Sequence, residues 1–598
     1  MKELMTGNEA VARGAYEAGV IFASAYPGTP STEILENIAA KYRDDMYCEW
    51  APNEKVAVEA AIGAAIAGGR ALACMKHVGV NVAADPLMTF GYTGTTGGFV
   101  IVSADDPGMH SSQNEQDNRF YAKFAKIPML EPSDSQEAKD FIKLAYDLSE
   151  KWETPVFFRM TTRVCHSKSV VQWGERQEVK VPEYVKQIQH YVATPANARP
   201  MRAKVEQRLA VMAEYANSTP LNHAEYNGGE IGVISSGVAY QYAREVFGEE
   251  ASYLKLGFTH PMPMDLIREF AGKVKTLYVV EELEPYIESH LKEAGIACIG
   301  KAVIPNQNEL DTDRVRKAVF GIQAKTITTD TQVPGRPPTL CAGCPHRGFF
   351  YSLSKRKDVM VTGDIGCYTL GSAEPLFAID TTICMGASIS TGHGASKVFE
   401  KTQPGKKVVA VIGDSTFFHS GVTSLMDIAY NNGSCVSVIL DNRTTGMTGH
   451  QQNPGTGLTL MGEEAPEVDI PALCKAMGIK EKNIYIVNPL NLAENDAALD
   501  QALACGETSV IITKWPCVLK KFSREDKERF DLSKKTCYVD QEACRNCKLC
   551  IGTGCPALYA KDGKVHIDQD ACNGCGVCMQ VCPFDAIKMA DGKAGAKA

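Results

Sequence analysis

Eight cysteines in the last tenth of the chain constrain its fold more than any other feature. They lie in two segments, "ACRNCKLCIGTGCP" from Ala543 to Pro556 and "ACNGCGVCMQVCP" from Ala571 to Pro583. Each segment separates three cysteines by two residues and then closes with Cys-Pro. Three thiolates at this spacing wrap one face of an iron–sulfur cubane, and the Cys-Pro cysteine ligates the other cluster. The pattern predicts a domain with two [4Fe–4S] clusters. Disulfide scaffolds, by contrast, are small and secreted.

Each predicted cluster therefore takes three cysteines from one segment and one from the other. The first cysteine set is Cys544, Cys547, Cys550 and Cys582, and the second cysteine set is Cys572, Cys575, Cys578 and Cys555. A zinc ribbon or free thiols are the alternative, which the repeated pattern disfavours. The first segment has four residues before Cys555 where the bacterial pattern has three, so the cluster type stays open. Residues 537–590 resemble bacterial two-cluster ferredoxins.

Length and charge exclude several other classes of function. At about 100–200 residues per domain, 598 residues predict three to five domains. A net charge of −9 gives no electrostatic basis for nucleic-acid binding. No apolar run reaches the roughly 18 residues of a membrane span, and the N-terminus lacks the pattern of a signal peptide. We expect a cytoplasmic protein with no membrane partner.

The rest of the chain alternates helical and strand-like segments, which predicts an α/β fold with mainly parallel sheets. Polar, helical residues form a connector after the first such region, and the Pro/Gly-rich "QVPGRPPTLCAGCPHRG" marks a second boundary. The predicted domains are 1–180, 181–335 (connector and second α/β domain), 336–525 and the ferredoxin-like 537–590.

Two buried strands in the third domain end in polar residues. "VVAVI" ends at Gly413-Asp414 and "VSVIL" ends at Asp441-Asn442, with a helix from about 422 to 431 between them. Asp414 and Asn442 are 28 residues apart, the length of one βαβ unit. Both should lie at the carboxyl ends of neighbouring parallel strands, where α/β sheets bind ligands. A carboxylate, an amide oxygen and a backbone carbonyl suit Mg²⁺.

This segment resembles the thiamine diphosphate motif, in which GDG is followed after about 27 residues by NN. Here Ser415 replaces the last glycine and Asp441 replaces the first asparagine. The resemblance implies that Asp414, Asn442 and the carbonyl of Thr444 hold Mg²⁺ and that the loop from Gly413 binds the cofactor. An ordinary strand-to-helix turn is the alternative.

A glutamate in the first domain resembles the activating residue of the same enzymes. "CEWAPNEKVAVEAAIGAAIAGG" places Glu54 at the start of a helix of small residues, nine residues before Gly63. Pyruvate:ferredoxin oxidoreductases place their activating glutamate in this way, so that it meets the aminopyrimidine ring of thiamine. The alternatives are that Glu54 only complements the helix dipole, or that Glu59 is the activator.

"YPGTPSTE" resembles the substrate loop YPITPSS of that family, in which Thr29 would contact the 2-oxoacid; a capped helix entry is the alternative. Lys76 and His77 follow a strand where a substrate-facing loop is expected. Lys123 aligns with the arginine that binds the substrate carboxylate in the family, and Arg119 lies nearby as a substitute. We favour surface salt bridges for Lys123 and Arg119.

Four further cysteines surround the diphosphate motif in the sequence. The third cysteine set is Cys341, Cys344, Cys367 and Cys517, in "LCAGCPHRG", "DIGCYTLG" and "KWPCVL". In the pyruvate enzymes, a CxxCG segment, a later GC and a final PC hold a cluster next to thiamine in this order. A CxxC pair alone is also typical of redox and structural sites, but the ordered set favours a third cluster.

Over its whole length the chain resembles the large (alpha) subunits of indolepyruvate:ferredoxin oxidoreductases, a branch of the thiamine-diphosphate-dependent 2-oxoacid:ferredoxin oxidoreductases. The resemblance implies oxidative decarboxylation of aryl 2-oxoacids with coenzyme A, giving an aryl-acetyl-CoA, CO₂ and reduced ferredoxin. It also implies a smaller beta subunit in an α2β2 assembly. A non-oxidative thiamine-dependent decarboxylase and a multi-cluster electron-transfer scaffold are the alternatives.

Overall fold

The structure is a computed structural model that describes residues 1–325, 330–333, 335, 337–532 and 535–590. It divides into two compact units, Met1–Asp330 (unit 1) and Thr331–Ala598 (unit 2). None of the described helices is long and apolar enough to cross a membrane.

Unit 1 alternates strands and helices, as the sequence predicts. Its strands are β1 (Lys2–Thr6), β2 (Phe22–Ala25), β3 (Tyr47–Trp50), β4 (Ala71–Lys76), β5 (Phe99–Asp105), β6 (Met129–Leu130), β7 (Val156–Thr161), β8 (Lys168–Gln172), β9 (Asn222–Glu225), β10 (Ile231–Ser236), β11 (Ser252–Leu256), β12 (Phe258–His260) and β13 (Thr276–Val280). Its helices are α1 (Gly7–Glu17), α2 (Thr32–Lys41), α3 (Glu54–Ile66), α4 (His77–Val82), α5 (Ala84–Thr93), α6 (Arg119–Ala125), α7 (Ser135–Trp152), α8 (Thr162–His166), α9 (Ile188–Tyr191), α10 (Pro195–Ser218), α11 (Ala239–Phe247), α12 (Met264–Ala271), α13 (Tyr286–Glu293) and α14 (Thr312–Phe320).

The main sheet of unit 1 has seven strands in the order β12-β6-β7-β5-β4-β2-β3. All of its neighbouring strands are parallel except β12, which runs antiparallel to β6. A second sheet has the order β13-β10-β11-β9, in which only β9 is antiparallel to its neighbour. Strand β12 lies in the predicted 181–335 domain yet extends the sheet of the predicted 1–180 domain. Side chains of both segments, including Phe157 and Ile234, belong to one buried core.

Unit 2 contains a second α/β region followed by the cysteine-rich segment. Its strands are β14 (Val359–Gly363), β15 (Thr381–Thr382), β16 (Lys407–Gly413), β17 (Val436–Asp441), β18 (Ile484–Val487), β19 (Ser509–Lys514), β20 (Thr536–Val539), β21 (Leu558–Lys561), β22 (Lys564–Ile567) and β23 (Ile587–Ala590). Its helices are α15 (His346–Ser354), α16 (Ala387–Thr402), α17 (Asp414–Thr416), α18 (Val422–Tyr430), α19 (Ile470–Ala476), α20 (Leu492–Cys505), α21 (Arg524–Arg529) and α22 (Val577–Val581).

The sheet of unit 2 is parallel throughout, in the order β15-β14-β16-β17-β19-β18. Strands β16 and β17 are buried along almost their whole length, as expected for central strands covered on both faces. In the cysteine-rich segment, β20 pairs with β23 and β21 with β22, both antiparallel. The predicted fold class, mainly parallel α/β sheets with a C-terminal ferredoxin-like domain, is confirmed.

Candidate cofactor and cluster sites

The carboxyl ends of β16 and β17 bring together the residues of the GDS and LDN segments. The two strands are hydrogen-bonded neighbours, with Gly413 opposite Leu440. Asp414 follows β16 directly and Asn442 follows β17, and both are buried. We name this place, formed by 413–415 and 442–444, the diphosphate edge. The predicted helix after Asp414 starts at Val422, as expected, but a short helix and a π-turn (Phe417–Gly421) precede it.

The buried carboxylate of Asp414 lies near a second buried carboxylate, that of Asp441. Its Oδ2 accepts a hydrogen bond from Asn453 Nδ2 at 3.0 Å. Burial and the nearby Asp441 carboxylate raise the pKa of Asp414 to about 7. Lys514 lies 3.8 Å from Asp441, whereas no basic side chain in the described part of the chain forms an ion pair with Asp414. Lys514 and Arg443 both lie near Asp441, and no described cation compensates Asp414 directly, so this pair of buried carboxylates favours a bound cation.

The donor set at the diphosphate edge fits Mg²⁺. It offers oxygen ligands only, which are a carboxylate at Asp414, an amide at Asn442 and backbone carbonyls. Asn442 is held in place because its Oδ1 accepts from the backbone N–H of Thr444 at 3.2 Å. Ser415 adds a hydroxyl that accepts a hydrogen bond from Thr445 at 2.8 Å.

Several residues at this edge were not found from the sequence. Asn442 Nδ2 lies 3.3 Å from Nε2 of His346, and burial lowers the pKa of His346 to about 4, so that the ring is a neutral acceptor. Asp364 accepts from the backbone N–H of Gly386 at 2.8 Å and orders the start of α16. A Cβ on Gly386 would lie 2.0 Å from Oγ of Ser420, in the π-turn that follows Asp414. The N-terminus of α16, which favours anions, therefore packs beside the diphosphate edge.

The third cysteine set lies against the same edge. The backbone N–H of Cys517 donates to the carbonyl of Asn442 at 3.0 Å. Burial raises the pKa of Cys344 to about 12, and the charges of Cys517 and Cys341 add to the rise. Burial likewise raises the pKa of Cys367 to about 11, and Cys517, Cys341 and Asp414 contribute. The four cysteines, separated by up to 176 positions in the sequence, thus lie near one another and near this edge.

In the ferredoxin-like domain, the cysteines of the first and second sets come together in the two predicted combinations. One small cavity is lined by all four cysteines of the first set, and a second cavity is lined by all four of the second set. Each cavity therefore receives one Cys-Pro cysteine from the opposite segment, as cross-ligation requires. The segment between the two halves forms the β21–β22 hairpin.

Backbone N–H groups point at several of these sulfur atoms. Cys537 and Gly574 donate to Sγ of Cys572 at 3.3 and 3.5 Å, and Ala586 donates to Sγ of Cys582 at 3.4 Å. Among the residues that the structure describes, no three His, Cys, Asp or Glu side chains converge closely enough to hold a single metal ion. Cys537 lines the second cavity without belonging to the ligand pattern.

In unit 1, Glu54 is the first residue of α3, as predicted, and is 3% exposed. The helix starts here because Asn53 caps it, accepting from the backbone N–H of Val56 at 2.9 Å. A Cβ on Gly79 would lie 2.7 Å from Oε1 of Glu54, so only glycine permits this approach. Glu59 is exposed and pairs with Lys55, which disfavours it as an activator.

The small residues of α3 pack in different ways. Ala57 and Ala61 are fully buried. Gly63 is exposed, and a Cβ built on it would meet no described atom within 4 Å outside its own helix backbone and chain neighbours.

Thr29 is half-buried in the loop between β2 and α2. The alternative of a capped helix entry is not seen at Ser31, which makes no side-chain cap hydrogen bond to α2 and whose Oγ donates to the carbonyl of Gly28 at 3.0 Å. A Cβ on Gly28 would lie 3.2 Å from Cγ of Lys76. Burial lowers the pKa of Lys76 to about 8, while the charges of Asp106 and Glu54 oppose this fall. The loop of Thr29, Lys76 and Glu54 are therefore neighbours.

The other two basic residues lie elsewhere. Arg119 is 0% exposed and forms ion pairs with Asp117 and Glu281, both at 2.6 Å. The favoured salt-bridge role of Arg119 is thus seen, but in the core rather than at the surface, and the residue is not available to a substrate. Lys123 is exposed and lies 3.1 Å from Nε2 of His290.

Three protein families match successive parts of the chain. They are the pyruvate flavodoxin/ferredoxin oxidoreductase thiamine-diphosphate-binding family over 13–228, the C-terminal TPP-binding domain of thiamine pyrophosphate enzymes over 364–513, and the 4Fe-4S binding domain over 565–588.

Whole-length relatives are also found. Indolepyruvate oxidoreductase subunit IorA of Archaeoglobus fulgidus is 42% identical over 619 aligned positions, covering 98% of both chains. The protein of the same name from Methanothermobacter thermautotrophicus is 42% identical and covers 98% of this chain and 97% of its own. A solved structure of 2-oxoglutarate:ferredoxin oxidoreductase from Magnetococcus marinus covers 54% of this chain and 65% of its own, at 19% identity and a TM-score of 0.46.

Proposed function

The chain belongs to the family of indolepyruvate oxidoreductase IorA subunits, and from this premise we propose how its residues perform the reaction. It is the large subunit of an indolepyruvate:ferredoxin oxidoreductase. The substrates that we propose are aryl 2-oxoacids of the indolepyruvate and phenylpyruvate type, together with coenzyme A. The products are an aryl-acetyl-CoA, CO₂ and reduced ferredoxin.

One observation supports an oxidative reaction above the others, namely the hydrogen bond from Cys517 to the carbonyl of Asn442 at 3.0 Å. It joins the third cysteine set to the diphosphate edge. A non-oxidative decarboxylase moves no net electrons and has no use for redox groups at this place. A scaffold with a degenerate thiamine fold has no use for the buried oxygen ligands of the edge. Both alternatives are disfavoured.

The residues of the diphosphate edge would hold thiamine diphosphate through Mg²⁺. Asp414, Asn442 and the carbonyl of Thr444 are the proposed metal ligands, and Gly413 and Ser415 belong to the loop that approaches the diphosphate. Thiamine diphosphate, when bound, supplies the carbon chemistry of decarboxylation. Occupation by Mg²⁺ would also relieve the repulsion between the carboxylates of Asp414 and Asp441.

In unit 1, Glu54 is the proposed activating carboxylate. Its burial and the approach of Gly79 hold the carboxylate in one position, as hydrogen bonding to an aminopyrimidine nitrogen requires. Thr29 is proposed to contact the 2-oxoacid. Lys76, which packs on the same loop, is a better candidate than Lys123 or Arg119 for the cation that meets the substrate carboxylate.

Three [4Fe–4S] clusters are proposed, one for each cysteine set. Iron content per chain tests this count, because three such clusters hold about twelve iron atoms and two hold about eight. A value near eight would remove the cluster from the third set and leave the two in the ferredoxin-like domain.

The proposed partners are a smaller beta subunit, in an α2β2 assembly, and ferredoxin as electron acceptor. Co-purification of the chain with that subunit under anaerobic conditions provides the sample for the decisive assay. We expect reduction of ferredoxin or a viologen that requires indolepyruvate, coenzyme A and thiamine diphosphate together. Release of an aldehyde without viologen reduction would overturn the proposal in favour of non-oxidative decarboxylation.

A further inference from the structure

Arg347, in the segment "CAGCPHRG", is a fully buried cation without a buried anion beside it. Its side chain is 1% exposed. All its hydrogen bonds go to backbone carbonyls, which are those of Thr553 and Cys341, each at 2.9 Å, and of Leu340. Within the described residues, Arg347 has no carboxylate partner, and its Nε has no hydrogen-bond acceptor.

A guanidinium in this position needs a counter-charge. Burying an ion without a partner carries a large desolvation penalty, and three carbonyl dipoles compensate only part of it. Buried arginines are ordinarily paired with carboxylates or phosphates. The protein around Arg347 offers neither, so the compensating negative charge is expected to come from a bound group.

The surroundings of Arg347 identify that group. One side of the guanidinium contacts the loop of the third cysteine set through Leu340 and Cys341. The other side contacts Thr553 in the loop that leads to Cys555 of the second set. The backbone N–H of Arg347 also donates to the carbonyl of Cys344 at 3.2 Å, so a second cysteine of the third set lies beside it. Four thiolates around an iron–sulfur core leave a net negative charge, which reduction increases.

We propose that Arg347 is the shared counter-charge of the clusters held by the second and third cysteine sets and that it sets their reduction potentials. This inference rests on the proposed function, because it requires both clusters to be present. A positive charge stabilises the reduced, more negative state of each neighbouring cluster. Arg347 therefore makes reduction of these two clusters more favourable. It is a positioning residue and takes no part in the carbon chemistry.

The unusual spacing before Cys555 supports the same role. The four residues between Cys550 and Cys555 form a 3-10 turn (Ile551–Thr553) and a left-handed Gly554 with φ of 70°. A Cβ on Gly554 would lie 3.2 Å from Nη1 of Arg347. The additional residue thus turns the carbonyl of Thr553 toward the guanidinium and leaves room for it, which explains the departure from the three-residue spacing.

A second contact joins the loop of the third set to the other segment of the second set. Asn573, between Cys572 and Cys575, donates through Nδ2 to the carbonyl of Ala342 at 2.9 Å. A Cβ on Gly343 would lie 2.7 Å from Cβ of Asn573, so the loops touch directly. The loops of the second and third sets are therefore joined at a second point, one residue along the chain from the Cys341 carbonyl that Arg347 contacts.

The test is an EPR-monitored redox titration of the anaerobically purified holoenzyme with Arg347→Met. We expect the midpoint potentials of two cluster signals to become more negative. The ratio of reduced to oxidised cluster at a fixed potential should fall at least tenfold, which is 59 mV for a one-electron couple. The third signal, from the first set, should change less. Arg347→Lys keeps the positive charge, so its midpoint potentials should lie close to those of the wild type.

Arg356→Met is the matched control. Arg356 follows the same helix and pairs with Asp496 and Asp500 at 3.0 and 2.7 Å, so its loss should leave all potentials unchanged. If Arg347→Met retains the iron of the wild type with unchanged potentials, the inference is wrong while the proposed clusters stand. If the wild type itself contains only about eight iron atoms, the proposed third cluster fails and the inference with it. Should the Met variant not fold, the Lys and Gln variants at position 347 decide by the same titration, and equal potentials in both would contradict the inference.

Discussion

Arg119 in unit 1 and Arg347 in unit 2 are both completely buried, but they are compensated in different ways. Arg119 meets the carboxylates of Asp117 and Glu281, each at 2.6 Å, while Arg347 meets only backbone carbonyls. The lack of a carboxylate partner is not a property of buried arginines in unit 2 generally, because Arg443 of unit 2 pairs with Asp526 at 2.8 Å. Among the described residues, Arg347 and Asp414 lack a partner of opposite sign and lie where cofactors are proposed, whereas Asp106 and Glu282 of unit 1 are buried without an ion pair and accept hydrogen bonds instead. The comparison teaches that a buried charge paired with an opposite charge belongs to the fold, and that an unpaired one is informative about a bound group where it lies beside a proposed cofactor site.

The largest expected effect is a loss of stability on removal of a paired buried charge. Arg119→Met leaves Asp117 and Glu281 buried without their cation, so the free energy of unfolding of unit 1 should fall by about 3–5 kcal/mol. Chemical denaturation of the apoprotein measures it. Lys123→Met, on the exposed side of the same helix, is the control and should change stability by less than about 0.5 kcal/mol. Equal stability of the two variants would show that the pairing of Arg119 contributes little.

At an unpaired charge the expected effect falls on ligand binding. Asp414→Asn should weaken binding of thiamine diphosphate with Mg²⁺ by more than the about 10–100-fold typical of an outer-shell partner. The apoprotein should melt no lower than the wild type, because the variant removes a buried carboxylate that lacks a cation. Calorimetric titration and thermal melting measure the two quantities. Asp427→Asn, on the exposed face of α18, should alter neither, and a destabilised Asp414→Asn apoprotein would contradict the comparison.

The pH dependence of the apoprotein's stability tests whether the carboxylate of Asp414 is buried without a cation. Burial beside Asp441 raises the pKa of Asp414 to about 7, above the value of about 3.9 in an unfolded chain. The native state therefore binds more protons than the unfolded state between these values, and stability falls as the pH rises through this window. Relative to Asp414→Asn, the wild type should lose up to about 1.4 kcal/mol per pH unit from pH 5 to pH 7. Parallel stability curves for the two proteins would refute this expectation.

The smallest effect is expected at the loop contact beside Arg347. Asn573→Ala removes one hydrogen bond to Ala342 and should lower the stability of the ferredoxin-like domain by about 0.5–1.5 kcal/mol. Limited proteolysis of the holoprotein measures this loss of stability. Iron content should stay at the wild-type value, since Asn573 is not a ligand, and a loss of iron would assign it a larger role.

The parts of the molecule that could be predicted from sequence are those set by short-range spacing. The cysteine pattern predicts which four cysteines line each cavity, and the strand ends at Asp414 and Asn442 predict the diphosphate edge. Partnerships across long sequence separations could not be predicted. Arg347 meets Thr553 across 206 positions, and Arg119 meets Glu281 across 162. Nothing local to "NRFYAK" distinguishes a buried arginine from an exposed one, because burial is decided by α13 and the strand before it.

The turn that ends at Gly554 has a consequence for how such proteins diversify. A ferredoxin module with the ordinary three-residue interval could be fused to this chain and still fold around its own clusters. It would not present a carbonyl to Arg347, and the guanidinium would lose one of its few polar contacts. The C-terminal module and its host are therefore matched to each other by one residue of loop length, and exchanging the module between enzymes would carry an electrostatic penalty at the join.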